Sequence, residues 1–350
     1  MSNWESAMID ADRNKDWRER LKASICHIKW SDSLQPIVDK IMANLQLDVE
    51  DGCVLFETNN LNELGHLANL HKIAMFGNHA YFNSNVHINQ TNICVLACRF
   101  CAFRRGPKAS DAYAMSIETY LSELEKFSSF VNEVHSVGGL HPEWDVDHYC
   151  DLFRKVKEVH PHISIKALTA VEIKHLSQVS SLSIKDTLLK LRDAGLTSLP
   201  GGGAEILDDD VRQIICNGKE SSQEYLDIHE TAHAIGLPSN CTMLFGTIET
   251  AKQRVEHMIQ LRDLAARTKG FQCFVPYPFL PDSTRLPMAQ LSTGQEILRV
   301  IAISRIMLDS IPHIKAYRMN IGDSMAELAL QYGADDIDGT VKQESIMHLA

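Results

Sequence analysis

Residues 88–103 read INQTNICVLACRFCAF, and the spacing inside that stretch decides how the rest of the chain is read. Cys94, Cys98 and Cys101 form the pattern C-x3-C-x2-C, in a polar segment that follows a short apolar run and precedes an amphipathic one. Three thiolates this close in sequence can converge on one iron–sulfur cube if the chain turns back tightly, and three ligands leave the fourth iron without a protein partner. Zinc calls for a fourth Cys or His; His87 lies on the wrong side of a strand, which leaves only a distant ligand. A redox CxxC pair would not need Cys94.

Outward from this loop the chain alternates short apolar runs with amphipathic segments. The runs are VHIN (86–89), VNEVHSVGG (131–139), ISIKALTA (163–170), LTSLP (196–200), SNCTMLFG (239–246), FQCFVPY (271–277), IKAYRMN (314–320) and ADDIDG (334–339). Repeated β-then-α order at this spacing predicts an α/β fold, a (β/α)8 TIM-type barrel over residues 86–341. Upstream, LQPIVDKIMANL (34–45) and LNELGHLANLHKIAMF (61–76) repeat apolar residues at three and four, so 1–85 is expected to be a helical extension. Residues 342–350 form a C-terminal tail. The Asp208–Asp210 run reads as a helix N-terminus. Gly138–Gly139, Gly201–Gly203, Gly246 and Pro276 fall just after strands, on the face where barrels of this kind carry their sites.

Composition bounds the function. Hydrophobic residues at 45% and charged residues at 23% are globular values. A net charge of −11, from 34 Lys+Arg against 45 Asp+Glu, opposes binding to nucleic acid or to anionic membrane surfaces. No apolar run is long enough for a membrane span. The first thirty residues lack the apolar core of an export signal, so the expected location is the cytoplasm. Nine cysteines, an odd number, speak against a disulfide framework there.

The cysteine pattern, with aromatic Phe100 just before its last member, resembles that of the radical S-adenosylmethionine (SAM) superfamily. Longer segments resemble its menaquinone (futalosine) pathway branch, aminodeoxyfutalosine synthases most of all: HINQTNICVLACRFCAFRR (87–105), VGGLHPEWDVDHY (137–149), KALTAVEI (166–173), LPGGGAEILDDDVRQIIC (199–216), IHETAHAIGLPSNCTMLFGTIET (228–250) and YGADDIDGTV (332–341). Parts of these are shared with the sister cyclase of that pathway (dehypoxanthine futalosine cyclase) and with deazaflavin synthases. Phe103–Arg104–Arg105 and LPSN at 237–240 favour the synthase.

The resemblance implies a [4Fe-4S] cluster on Cys94, Cys98 and Cys101, and SAM consumed as co-substrate. It implies that Phe100, Gly138 and Gly139 lie against SAM and that Glu205 meets the ribose hydroxyls; Tyr225 and His229, one helical turn apart, would face the methionyl carboxylate. The implied reaction adds the 5′-deoxyadenosyl radical to the vinyl carbon of 3-[(1-carboxyvinyl)oxy]benzoate, followed by rearrangement and decarboxylation. Such a small aromatic dicarboxylate calls for cations, and guanidinium matches carboxylate two-pronged. Arg104, Arg105, Arg285 and Arg318 are the candidates, with His141 as a proton-handling partner. A low-potential electron donor such as flavodoxin or ferredoxin is implied, and a homodimer is left open. The chain ends at SIMHLA where relatives continue with a further tail, so cover over the barrel mouth is expected to be incomplete.

One motif competes. His229-Glu230-Thr231-Ala232-His233 is literally H-E-x-x-H, the zinc metallopeptidase signature, with both histidines on one helix face and Glu230 as base. A peptidase needs a third ligand; Glu249, Glu256 and His257 offer themselves, but none falls in a recognisable continuation. Gly201–Gly203 meets neither phosphate-loop pattern.

Overall fold

The computed structural model describes residues 13–282, 284–286, 289, 292–342 and 346. Four helices come first, α1 (Trp17–Ile25), α2 (Gln35–Met42), α3 (Val49–Glu57) and α4 (Leu61–Phe76). Each has a local cause. Asp48 and Asp51 close a capping box at the start of α3, and Asn60 caps α4, which Gly77 ends at φ 66°.

Strands and helices then alternate as the sequence predicts: β1 (Tyr81–His87), α5 (Ile117–Glu125), β2 (Glu133–Ser136), α6 (Val146–Val159), β3 (Ser164–Ala167), α7 (Ala170–Val179), α8 (Ile184–Asp193), α9 (Asp209–Ile215), α10 (Ser222–Ala234), β4 (Ser239–Phe245), α11 (Ala251–Thr268), β5 (Phe271–Pro278), α12 (Gly294–Met307), β6 (His313–Ala316), α13 (Arg318–Ile321), α14 (Asp323–Ala329) and β7 (Asp336–Thr340). Asp208 caps α9 by accepting from the Val211 amide, as the acidic run suggested.

All strand pairs are parallel, in the order β3-β2-β1-β7-β6-β5-β4. The run 196–200, expected as a strand, makes only two isolated parallel bridges, Ser198 to Lys166 on β3 and Leu199 to Ser239 on β4. Those bridges join the two edges of the seven-stranded sheet and complete the ring. The segment stops there because Pro200 lacks an amide proton and Gly201 turns the chain at φ 82°.

The first strand begins at Tyr81 rather than at Val86. Asn83 and Asn85 on its inward face hid it, because they put polar side chains on the cavity where the alternation test looks for apolar ones. The apolar core lies instead between sheet and helices, with Val86, Val134, Ile165 and Ile314 fully buried on the outward faces.

The N-terminal helices are bolted onto that outer layer. Arg262 of α11 donates to the Leu47 carbonyl at 2.7 Å, Arg299 of α12 to Thr58 at 2.7 Å, and Lys72 of α4 to Leu330 at 2.9 Å. Of the tail, Lys342 and Ile346 are described; the rest of 342–350 lies outside the described residues. No helix among the described residues is long and apolar enough to cross a membrane.

Candidate active site

A cavity of about 290 Å³ opens inside the ring, and Cys94, Cys98 and Cys101 all line it. The loop that carries them, running from β1 towards α5, is knitted by its own backbone. The Cys94 amide donates to the Arg105 carbonyl at 3.0 Å, and the Arg105 amide to Asn92 at 2.7 Å. Burial pushes the Cys98 thiol up to about 12 and raises Cys101, against the pull of the Lys219 ammonium and, at Cys101, of the neighbouring Arg104 and Phe103 amides. Left to themselves these groups hold their protons. A bound metal reverses that, since its charge deprotonates a coordinating thiol.

Among the described residues no three His, Cys, Asp or Glu side chains stand close enough to hold a single ion, and that includes this trio. A single zinc draws its sulfurs to within roughly 4 Å of one another, whereas a cube takes each thiolate on a different iron. Three thiols from one loop that line a single cavity fit the cube.

Gly138 and Gly139 line the same cavity and press on the loop from the β2 side. A β-carbon on Gly139 would stand 2.2 Å from the Ile93 carbonyl oxygen, and one on Gly138 would stand 2.9 Å from that of Thr91. Glycine is needed here for close approach. The Gly138 amide donates to Glu172 Oε1 at 3.0 Å, while the Thr169 amide and hydroxyl donate to Oε2 at 2.7 and 2.6 Å. Burial drives the Glu172 carboxyl up to about 7 despite those donors. Glu205, at φ 44°, also lines the cavity and pairs with the largely covered Lys219, whose ammonium stands 5.4 Å from the centre of the Phe100 ring.

Deeper in the ring lies a polar set of which the sequence singled out only His87, and placed it on the wrong side of its strand; the inward face of β1 turns it to the same cavity as the cysteines. Asn83, Asn85 and His87 on β1, Glu133 and His135 on β2, Lys166 on β3 and Lys315 on β6 all face the cavity. Lys166 pairs with Glu133 at 2.9 Å and Lys315 with Asp336 at 2.8 Å. Burial works to raise the Glu133 carboxyl, but Lys166 holds it below the usual range. The signal was present as polar alternation at 83, 85 and 87, on the face where an apolar interior was expected.

Several of the candidate residues lie outside this cavity's lining. Arg285 does not line the cavity: it donates to the Ala97 and Cys98 carbonyls at 2.8 and 3.3 Å, because exposed backbone oxygens of the cysteine loop lie within its reach. Arg318 ties β6 to β7 through the Asp338 and Thr340 carbonyls and Asp323. His141 stacks on Trp144 at 4.6 Å beside a separate small hollow. Arg105 pairs with Asp111 and caps three loop carbonyls. Arg104 does line the cavity, and its buried Nε has no partner.

Tyr225 and His229 point into the helix–sheet core instead. The Tyr225 hydroxyl donates to the Gly201 carbonyl at 2.7 Å, so it supports the glycine turn from behind. His229 and His233 both contact the Ser239 hydroxyl at 2.8 Å, at the start of β4 and far from the loop face. Glu230 faces Arg267 at 3.5 Å. Of the other proposed zinc ligands, Glu249 is taken by Arg254, Glu256 by Lys252, and His257 by the Leu207 amide and Thr242 carbonyl. The H-E-x-x-H letters thus form a packed helix face rather than a metal site. A larger hollow, about 430 Å³, lies between α1 and α11, away from every strand-to-helix loop.

Residues 88–261 match the family model for the radical SAM superfamily, and residues 268–350 match the CofH/MqnC C-terminal region. The chain is 39% identical to aminodeoxyfutalosine synthase of Thermus thermophilus, over 91% of this chain and 87% of that protein. It is 40% identical to aminodeoxyfutalosine synthase of Streptomyces coelicolor, over 88% of this chain and 83% of that one. In fold it is similar to the crystal structure of methylornithine synthase, with a TM-score of 0.71 at 19% identity over 88% of this chain and 87% of that one. A cysteine loop on the mouth of a parallel barrel and relatives matching nearly end to end lead to one conclusion: the chain belongs to the radical SAM superfamily, in the branch to which the aminodeoxyfutalosine synthases belong.

Proposed function

We propose that the chain is an aminodeoxyfutalosine synthase of menaquinone biosynthesis, joining the adenosyl group of SAM to 3-[(1-carboxyvinyl)oxy]benzoate with rearrangement and loss of a carboxyl carbon. The observation that carries this reading is convergence: the three thiols, the glycine pair and Arg104 open onto one cavity. Cys94, Cys98 and Cys101 hold the [4Fe-4S] cluster, the Gly138–Gly139 backbone and Glu205 hold SAM, and Phe100 packs beside them. When bound, the two groups supply an electron and a 5′-deoxyadenosyl radical.

The chain's part is to bind, orient and keep water out. Leu96, Leu140, Leu244 and Phe279 give the cavity apolar walls that offer a radical few polar hydrogens. Lys166, Lys219 and Lys315 are all committed to carboxylates, which leaves Arg104, without an ion pair among the described residues, to meet a substrate carboxylate. A flavodoxin- or ferredoxin-type protein serves as electron donor. Anaerobic incubation of cluster-loaded protein with SAM, dithionite and the enol ether, followed by mass spectrometry, tests the assignment. An adduct containing adenosine is expected; free 5′-deoxyadenosine as the sole nucleoside product would point to hydrogen abstraction and overturn it.

A further inference from the structure

Three residues that line the cavity carry buried polar atoms with no hydrogen-bond partner: Arg104 through Nε, His87 through both ring nitrogens, and Asn85 through its carbonyl oxygen. Buried polar atoms without partners are rare in folded proteins, and a group of them around one cavity marks where a ligand makes its polar contacts. An anionic ligand needs donors. Asn85 presents an acceptor, so the donors are the Arg104 guanidinium and the one N–H of a neutral His87.

His87 is placed for this by the sheet register. It stands opposite His135 on β2, and the two rings stack with centroids 4.3 Å apart and planes at 29°. That stacking fixes the ring plane. His87 itself is 5% exposed. Burial, then the neighbouring His135, with Lys166 and Lys315 adding to them and Glu133 opposing, holds its protonated form well below the usual range. Burial likewise brings His135 down to about 3, with the two lysines adding to it. The ring therefore meets a ligand as a neutral donor, flanked by ammonium groups already spent on Glu133 and Asp336.

We infer that His87, held in plane by His135, is the hydrogen-bond donor inside the barrel that seats one carboxylate of the aromatic dicarboxylate substrate, while Arg104 on the cysteine loop takes the other. The inference rests on the substrate proposed above and deepens it, since it assigns the second anionic end to a strand residue. His87 is a specificity-determining residue here, with no proton transfer assigned to it.

The test is equilibrium binding of 3-(carboxymethoxy)benzoate, which keeps both carboxylates but lacks the vinyl group, to cluster-loaded enzyme with SAM and no reductant. His87→Leu is expected to weaken this ligand about tenfold or more, the cost of leaving a charged acceptor unmatched. SAM affinity and iron content should stay at wild-type values, and KM for the enol ether should rise more than kcat falls. His87→Gln, which restores an amide donor near one ring nitrogen, should recover most of the affinity. Equal affinity in wild type and His87→Leu overturns the inference. So does a Gln variant as weak as the Leu variant, which would make the ring a packing element, or a wild type that does not bind the probe. Wild-type binding without an adenosine adduct would instead remove the proposed reaction and leave the role of His87 standing.

Discussion

Arg285 donates from Nη2 to the Ala97 carbonyl at 2.8 Å, and its amide donates to Arg99 at 2.8 Å, so the β5–α12 connection grips the cysteine loop at two points. Arg99 returns the contact through Nε to the Arg285 carbonyl at 3.3 Å. A residue whose type suggested substrate binding is a strap on the metal loop. Arg285→Ala is expected to lower cluster retention several-fold under chelator challenge, from loss of two hydrogen bonds to a charged donor, while SAM affinity of protein that still holds its cluster changes little. Iron content against time in the presence of a ferrous chelator reads this. Retention equal to wild type would return Arg285 to the list of substrate contacts.

The glycine pair is a sharper constraint than its place after a strand implied. Gly139→Ala puts a methyl group 2.2 Å from the Ile93 oxygen and 2.7 Å from its carbonyl carbon, both backbone atoms between β1 and the first cysteine. The loop has to move or the strand end has to yield, which costs roughly 1–3 kcal/mol by the measure of overpacked sites. Visible absorbance of the reconstituted cluster should fall markedly, and urea unfolding should shift to lower concentration. An alanine variant with full cluster absorbance would mean that the loop has slack there.

What was legible in the chain follows from what spacing encodes. The cysteine trio, the glycine pair and the eight strand segments depend on local spacing, and each lies close to where its residues suggest, with β1 starting five residues early and 196–200 reduced to a pair of bridges. Arg285, Arg318 and Tyr225 went elsewhere because charge or hydroxyl names a chemistry but not a partner. Backbone carbonyls at Ala97, Asp338 and Gly201 claim them, and no pattern in sequence announces a free carbonyl. Lys166 and Lys315 were missed, and His87 was placed on the wrong side of its strand, for another reason: a strand's inward face is read as core, and in this ring the inward face is the site.

Glu172 gives the fold a pH signature. Its carboxyl ordinarily ionises near 4.5 and is raised by burial to about 7, so the folded chain keeps a proton there that the unfolded chain has already released. The unfolded state binds fewer protons across that window, hence stability falls as pH rises from about 4.5 to 7. The contribution at stake is of order 3 kcal/mol. Glu172→Gln cannot titrate, so the difference in urea midpoint between variant and wild type should change between pH 5.5 and 8, with wild type losing ground at the higher pH. A constant difference would mean that the Thr169 and Gly138 donors keep the carboxylate ionised throughout.

Beneath the ring, Arg305 on α12 and Asp335 before β7 are both fully buried and paired. Arg305 also donates to the Gly333 and Pro312 carbonyls at 2.8 Å each, while Asp335 accepts from the Ile314 amide at 2.9 Å and meets His313 at 2.6 Å. Burial works to raise the Asp335 carboxyl, but Arg305 and His313 keep it below the usual range. The pair joins the helix layer to β6 and β7, the second of which pairs with β1. Removing one partner strands the other charge away from water, which costs about 3–5 kcal/mol, whereas replacing both with apolar residues of similar size can be nearly neutral. Arg305→Met should therefore destabilise by that amount in urea unfolding. Arg305→Met combined with Asp335→Leu should recover part of the loss, held back by the Ile314 amide and the two carbonyls left unmatched. A double variant that is additive with its singles would show that backbone capping, and not the buried ion pair, is what anchors α12 to the barrel floor.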